Sequence, residues 1–257
     1  MSEEADKKDE WVQGTVSMNI GGMDISMEMT VPANPINPRR MLPIFQKMTN
    51  SFVDLAVQEE KEKGYTISCK AGCGACCRQL VPISEFEAHQ LKELVDHMAE
   101  PRQSAIRQRF ADAINKFGEA GLLEQLRNPD SFVDQTVKKL GLDYFHTGVP
   151  CPFLEDESCS IHPDRPLACR EYLVTSPAEN CSHPTADSVR QVKIPAKVSN
   201  AVIRLSKPRE GSRFIPYVPM ILALEWAENN PENMPPKPGP MILKEMFENL
   251  SGQEVKT

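Results

Sequence analysis

Four cysteines, Cys69, Cys73, Cys76 and Cys77, fall within the nine residues CKAGCGACC, and four more, Cys151, Cys159, Cys169 and Cys181, follow at wider spacing. These are all eight cysteines of a 257-residue chain. Thiolates are soft ligands that select zinc, copper(I) or iron–sulfur clusters over magnesium and calcium. The spacers KAG and GA are small and glycine-rich, which lets the backbone fold tightly enough for several sulfurs to face one point. Two cysteine patches flanking a long cysteine-free stretch imply that the patches meet in space. The expected cofactor is zinc or an iron–sulfur cluster, held by all eight cysteines. Adjacent Cα atoms lie about 3.8 Å apart and their side chains diverge, so Cys76 and Cys77 are expected to serve different partners. Two four-cysteine zinc sites, one polynuclear centre, and an iron–sulfur cluster with supporting thiols all fit the count.

Four thiolates around a divalent cation leave about two negative charges, so cations belong nearby. Lys70, Arg78, Arg165 and Arg170 stand within a few residues of cysteines, and Asp164 or Glu171 could pair with the arginines instead. His162 and His183 are the candidate imidazole ligands, although eight sulfurs already suffice. From Tyr144 to Pro184 no helical or strand period survives. An irregular stretch of that length needs something other than backbone ladders to hold it, and a metal would couple binding to local folding.

The elements that position these residues are legible by period. Val16, Met18 and Ile20, then Met23, Ile25, Met27, Met29 and Val31, alternate about Gly21–Gly22 and predict a β-hairpin with one apolar face; its methionines read as core filler. Met41, Phe45, Met48, Phe52 and Leu55 predict a helix ended by charge and Gly64. Ser84 with Glu87 forms a capping-box signature ahead of Leu91, Leu94, Val95 and Met98, with His89 and His97 as surface or boundary residues. Ile106, Phe110, Ala113, Ile114 and Phe117 make one further stripe, and Val133, Val137 and Leu140 another. Val218, Leu222 and Trp226 predict a helix, as do Leu243, Met246, Phe247 and Leu250, with NNPENMPPKPGP between them as a stiff exposed connector. The expected fold is mainly helical α+β: an N-terminal β-hairpin and an irregular cysteine-rich metal-binding core among helices. The expected segments are 1–64, hairpin and helix; 65–185, cysteine-cluster domain with a helical insert; and 186–257, C-terminal helices.

Composition bounds the partners. A net charge of −7 argues against coating nucleic acid or an anionic membrane, which needs a basic face. The opening MSEEADKKDE has no apolar core of a secretory signal, and FIPYVPMILALEW is too short and proline-broken to cross a bilayer. The expectation is a cytoplasmic protein, where free thiols point to metal rather than to disulfides. The metal ion is the expected partner; MPPKPGP leaves a protein partner open.

CKAGCGACCRQLVPISEFE, then CPFL, then CSIHPDRPLACREY and Cys181, resemble in order the zinc- or iron-chelating proteins with the CxxCxxCC signature, the YkgJ-like cysteine-cluster family. By that resemblance the first seven cysteines fall on the family's chelating positions and Cys181 on its more variable last one. Pro166 and Arg170 fall on the family's RPxxCR stretch. The expected function is metal binding through the two cysteine groups. The alternative is a metal-dependent modifying enzyme, because flagellin lysine methylases carry a similar cluster and C-x3-C-x2-C is also the radical S-adenosylmethionine spacing. Against it stand the absence of a βα succession and of a G-x-G-x-x-G loop.

Overall fold

The computed structural model describes residues 10–20, 23–128, 134–185, 187–206 and 217–252. Strands β1 (Trp11–Ile20) and β2 (Met23–Pro32) pair antiparallel, with Ile20 opposite Met23 and Val12 opposite Val31. Directly opposed residues share a face, which gathers Val16, Met27, Met29 and Val31 on one side, as the alternation predicts. The Gly21–Gly22 connection lies outside the described residues, as do the side chains of Met18, Ile20 and Met23.

A short strand β3 (Pro35–Ile36) leads into helix α1 (Leu42–Glu62). Met41, Phe45, Met48 and Phe52 are buried, but Leu55 is 48% exposed and Ala56 takes the inward position. The stripe advances by four from Phe52 rather than by three, so the expected Leu55 contact is corrected. After the first cysteine loop come strand β4 (Pro82–Ile83) and helices α2 (Glu85–Asp96), α3 (Arg102–Glu119), α4 (Leu123–Arg127) and α5 (Asp134–His146). The capping box of α2 is present with both reciprocal bonds. Leu91 and Val95 are buried and Leu94 and Met98 half-buried. The α3 stripe is buried at Ile106, Phe110, Ala113 and Phe117. In α5 Leu140 is buried, while Val133 and the side chain of Val137 lie outside the described residues.

Strands β5 (Leu154–Glu155) and β6 (Ser158–Cys159) form a miniature hairpin, followed by α6 (Leu167–Arg170) and α7 (Val198–Ile203). Strand β7 (Val218–Pro219), α8 (Ala223–Asn229), β8 (Lys237–Pro238) and α9 (Gly239–Ser251) complete the order. Two expectations are corrected here. Val218 lies in a strand pairing with Ile83, because a residue before proline is pushed to extended backbone, and the helix starts only at Ala223. The proline-rich connector is half tied down: Lys237 and Pro238 pair with Ile36 and Pro35, and Lys237 Nζ reaches both carboxylate oxygens of Glu245 at 2.6 and 2.7 Å.

The architecture is therefore mainly helical α+β, with four separate two-stranded antiparallel sheets among the described residues. One core joins Phe45, Phe52, Val198, Val202, Met246 and Phe247 from α1, α7 and α9. Another joins Leu91, Phe110, Phe153, Ile161 and Leu224, and a third joins Phe117, Leu126, Leu140, Tyr144 and Leu222. Each fully buried large apolar side chain contributes about 1.5–3 kcal/mol. Among the described residues no helix is long and apolar enough to cross a membrane.

Candidate metal centre

The first cysteine loop is bent by Gly72, whose φ of +83° is one that glycine adopts freely. It ends in a 3₁₀ turn, Ala75–Arg78, that carries Cys76 and Cys77. Several bonds stitch this loop to the second cysteine segment. Cys151 N donates to Cys77 O at 2.7 Å, Gly72 N to Ser158 Oγ at 3.0 Å, and Ser68 N to Val174 O at 3.0 Å. Val174 N in turn donates to Cys69 Sγ at 3.4 Å. Arg78 grips Glu157 with both guanidinium nitrogens, at 2.7 and 3.0 Å, and also donates to Gly74 O. Gly74 is essential to this approach. A Cβ there would meet Glu157 Oε2 at 2.5 Å, Leu154 Cδ1 at 2.7 Å and Glu157 Cα at 3.2 Å.

The consequence is a cavity of about 1260 Å³ whose lining includes all eight cysteines, Cys69, Cys73, Cys76, Cys77, Cys151, Cys159, Cys169 and Cys181. Every one is a free thiol. The walls are assembled, but the sulfurs are not drawn together: among the described residues no three or more Cys, His, Asp or Glu side chains stand where they could hold a metal ion as placed. The donor set itself, eight free thiols on the lining of one cavity, fits a soft cation in its chemistry.

Burial sets the state of most of these thiols. It pushes Cys151 up to about 12 and Cys169 well above the ordinary thiol range, and it also raises Cys69, Cys159 and Cys181. The adjacent pair behaves differently. Each acts on the other: the neighbouring Cys77 thiol lowers Cys76, and Cys76 together with burial raises Cys77. Cys76 and Cys77 both line the cavity.

The cations divide into two kinds. Lys70 and Arg165 line the cavity. Arg170 is buried and holds the loop instead, donating to Arg165 O at 3.0 Å, to Asn50 Oδ1 at 3.3 Å and to Pro163 O. Arg78 is spent on Glu157. Glu171 receives Ser199 N at 3.0 Å and Ser199 Oγ at 2.5 Å, so its partner is a serine rather than one of the arginines. His162 is on the cavity lining and exposed, whereas His183 is exposed and not among the lining residues.

Some residues at the site carried no sequence signal. Glu87, read only as a capping residue, is fully enclosed; besides closing the box with Ser84 it accepts Leu167 N at 2.8 Å. One carboxylate thus fixes both the start of α2 and the turn that carries Cys169, and its burial raises its pKa. Tyr144, stacked on Phe117 with ring centroids 4.3 Å apart, forms part of the cavity wall, as do Lys193, Lys197 and Asn200.

Residues 68–191 match the CxxCxxCC family, described as a "Putative zinc- or iron-chelating domain". The match covers a little under half of the chain and contains every cysteine. No curated protein and no solved structure matches the chain.

Proposed function

We propose that the protein chelates zinc or iron, the latter as an iron–sulfur cluster, through the eight cysteines lining the cavity, and that the bound metal closes the loops around itself. One observation carries this reading: cysteines from two groups 74 to 112 positions apart at their extremes line a single cavity. The metal would supply a fixed, charge-dense point that the loops otherwise lack. The chain's residues do the rest. Thiols raised by burial give up protons on binding, Lys70 and Arg165 offset the thiolate charge, and Glu87 and Arg170 hold the turn that presents Cys169. Such a thiol-rich centre suits a reducing compartment, which supports a cytoplasmic setting.

Nothing in the architecture favours the enzyme alternative, because every sheet among the described residues is a two-stranded antiparallel pair rather than a parallel βα succession. The test is anaerobic purification with metal analysis and an absorption spectrum. Stoichiometric zinc in a colourless sample, or iron with absorption near 400 nm in the manner of iron–sulfur centres, supports chelation. Protein that retains neither metal and takes up neither on reconstitution overturns it.

A further inference from the structure

The cavity does not treat its cysteines as the sequence groups them. Cys69 and Cys181 pack together in a small cluster with Ala75, Val174 and Val189. Cys151 and Cys159 pack instead against the core containing Ile83, Phe153 and Ile161. The backbone repeats the division. The 3₁₀ turn at Ala75–Arg78 packs on the one at Ala178–Ser182, which brings Cys181 toward the first loop. Meanwhile the bond from Cys151 N to Cys77 O ties Cys77 to the second set.

Charge neighbourhoods agree. Cys181 feels Cys69, Cys73 and Cys76, whereas Cys77 feels Cys76, Cys151 and Cys169, and Cys169 feels Cys151, Cys76 and Cys159. Cys76 acts on thiols of both kinds, so the adjacent pair is the junction.

We propose that the cavity holds two four-sulfur metal sites, one formed by Cys69, Cys73, Cys76 and Cys181, the other by Cys77, Cys151, Cys159 and Cys169, with Arg165 clasped between them. This rests on the chelation reading above and adds its nuclearity and grouping. Four sulfurs complete a tetrahedral site, and the division leaves none over.

Arg165 supplies an independent sign. Its charge acts on Cys69 on one side, Cys159 on the other, and Cys76 at the junction. Its Nε is buried with no hydrogen-bond partner. A buried donor left unpaired costs free energy, and a metal-bound thiolate is an acceptor that would satisfy it. Two divalent ions in eight thiolates leave a charge of about −4. Four cationic side chains on the lining, Lys70, Arg165, Lys193 and Lys197, can offset it; a fifth, Arg190, is committed to Glu60 at 2.9 Å.

The experiment uses the full chain, loaded anaerobically with zinc for stoichiometry and with ¹¹³Cd for NMR. Two ions per chain and two cadmium resonances, both in the range of four-sulfur coordination, are expected. Cys181→Ser should retain one ion and one of the two resonances, and Cys159→Ser should retain one ion and the other resonance. Circular dichroism on each variant identifies any that fails to fold, and the wild-type count and spectrum decide alone in that case. One ion, one resonance, or a polynuclear iron centre lost entirely in both variants would overturn the two-site division while leaving chelation standing. A wild-type chain that binds no metal would overturn chelation itself.

Discussion

Replacing Gly74 by alanine adds one methyl group to the first cysteine loop, and the expected effect follows from two opposed magnitudes. Gly74 has φ −97° and ψ 9°, which alanine adopts, so the substitution alone would stabilise by about 0.4–1 kcal/mol through the unfolded chain. Against that, the added Cβ would stand 2.5 Å from Glu157 Oε2, 2.7 Å from Leu154 Cδ1 and 3.2 Å from the Glu157 Cα. The carboxylate can swing only by leaving Arg78, and the Cα can retreat only by moving the β5–β6 hairpin. Overpacking of this kind costs about 1–3 kcal/mol. The clash outweighs the backbone gain, and the net loss should lower Tm by about 2–4 °C per kcal/mol. Metal content should fall with it, although no cysteine is changed. Gly14→Ala is the control, because nothing lies within 4 Å of a Cβ there. The assay is thermal unfolding by circular dichroism beside metal analysis of both variants. A Gly74→Ala protein as stable as wild type or more so, with full metal content, would refute the close packing of the two cysteine segments.

Other substitutions probe the same scaffold. Glu87→Gln replaces one acceptor oxygen with a donor facing Ser84 or Leu167, and should cost about 1–3 kcal/mol in denaturant unfolding with loosened metal retention. Phe153→Ala removes a ring that is 1% exposed, stands edge-on to Phe110 at 5.5 Å and lies between Cys151 and Cys159 in sequence; a loss of about 3–5 kcal/mol is expected by chemical denaturation. Asp156→Gly relieves a left-handed residue, φ 47°, in the β5–β6 turn, and should raise the denaturation midpoint by the equivalent of about 1 kcal/mol. Removal of the metal by an external chelator should expose the 144–184 stretch to protease, read by the sites of first cleavage, while α1 and α9 stay protected.

The helical stripes of α1, α2, α3 and α9 and the hairpin register were legible because each buries one face, and a buried face imposes its period on the sequence. The capping box was legible for the same local reason, since donor and acceptor lie three residues apart. What escaped depends on contacts remote in sequence. Glu87 meets Leu167 80 positions away, and no spacing marks it as the anchor of the Cys169 turn. The pairing of Lys237–Pro238 with Pro35–Ile36 turns an apparent free linker into a strand, through two residues that carry no apolar pattern. Leu55 and Val218 fit a helical period on paper, yet Ala56 takes the buried position in α1 and the proline at 219 holds Val218 in a strand. At the site, cysteine content marked the candidate ligands, whereas the packing of Cys69 and Cys181 in one apolar cluster and of Cys151 and Cys159 against another became visible only with the loops in place. Lys193, Lys197 and Asn200 reach the cavity from a stretch without any motif.

The central claim is that the thiols gathered around this cavity ligate a soft metal, and X-ray absorption at the metal edge of the anaerobically purified chain measures it most directly. A first shell of sulfur at about 2.3 Å, with light-atom ligands negligible, is the predicted result. A first shell of nitrogen and oxygen, with all eight cysteines open to alkylation, would contradict it.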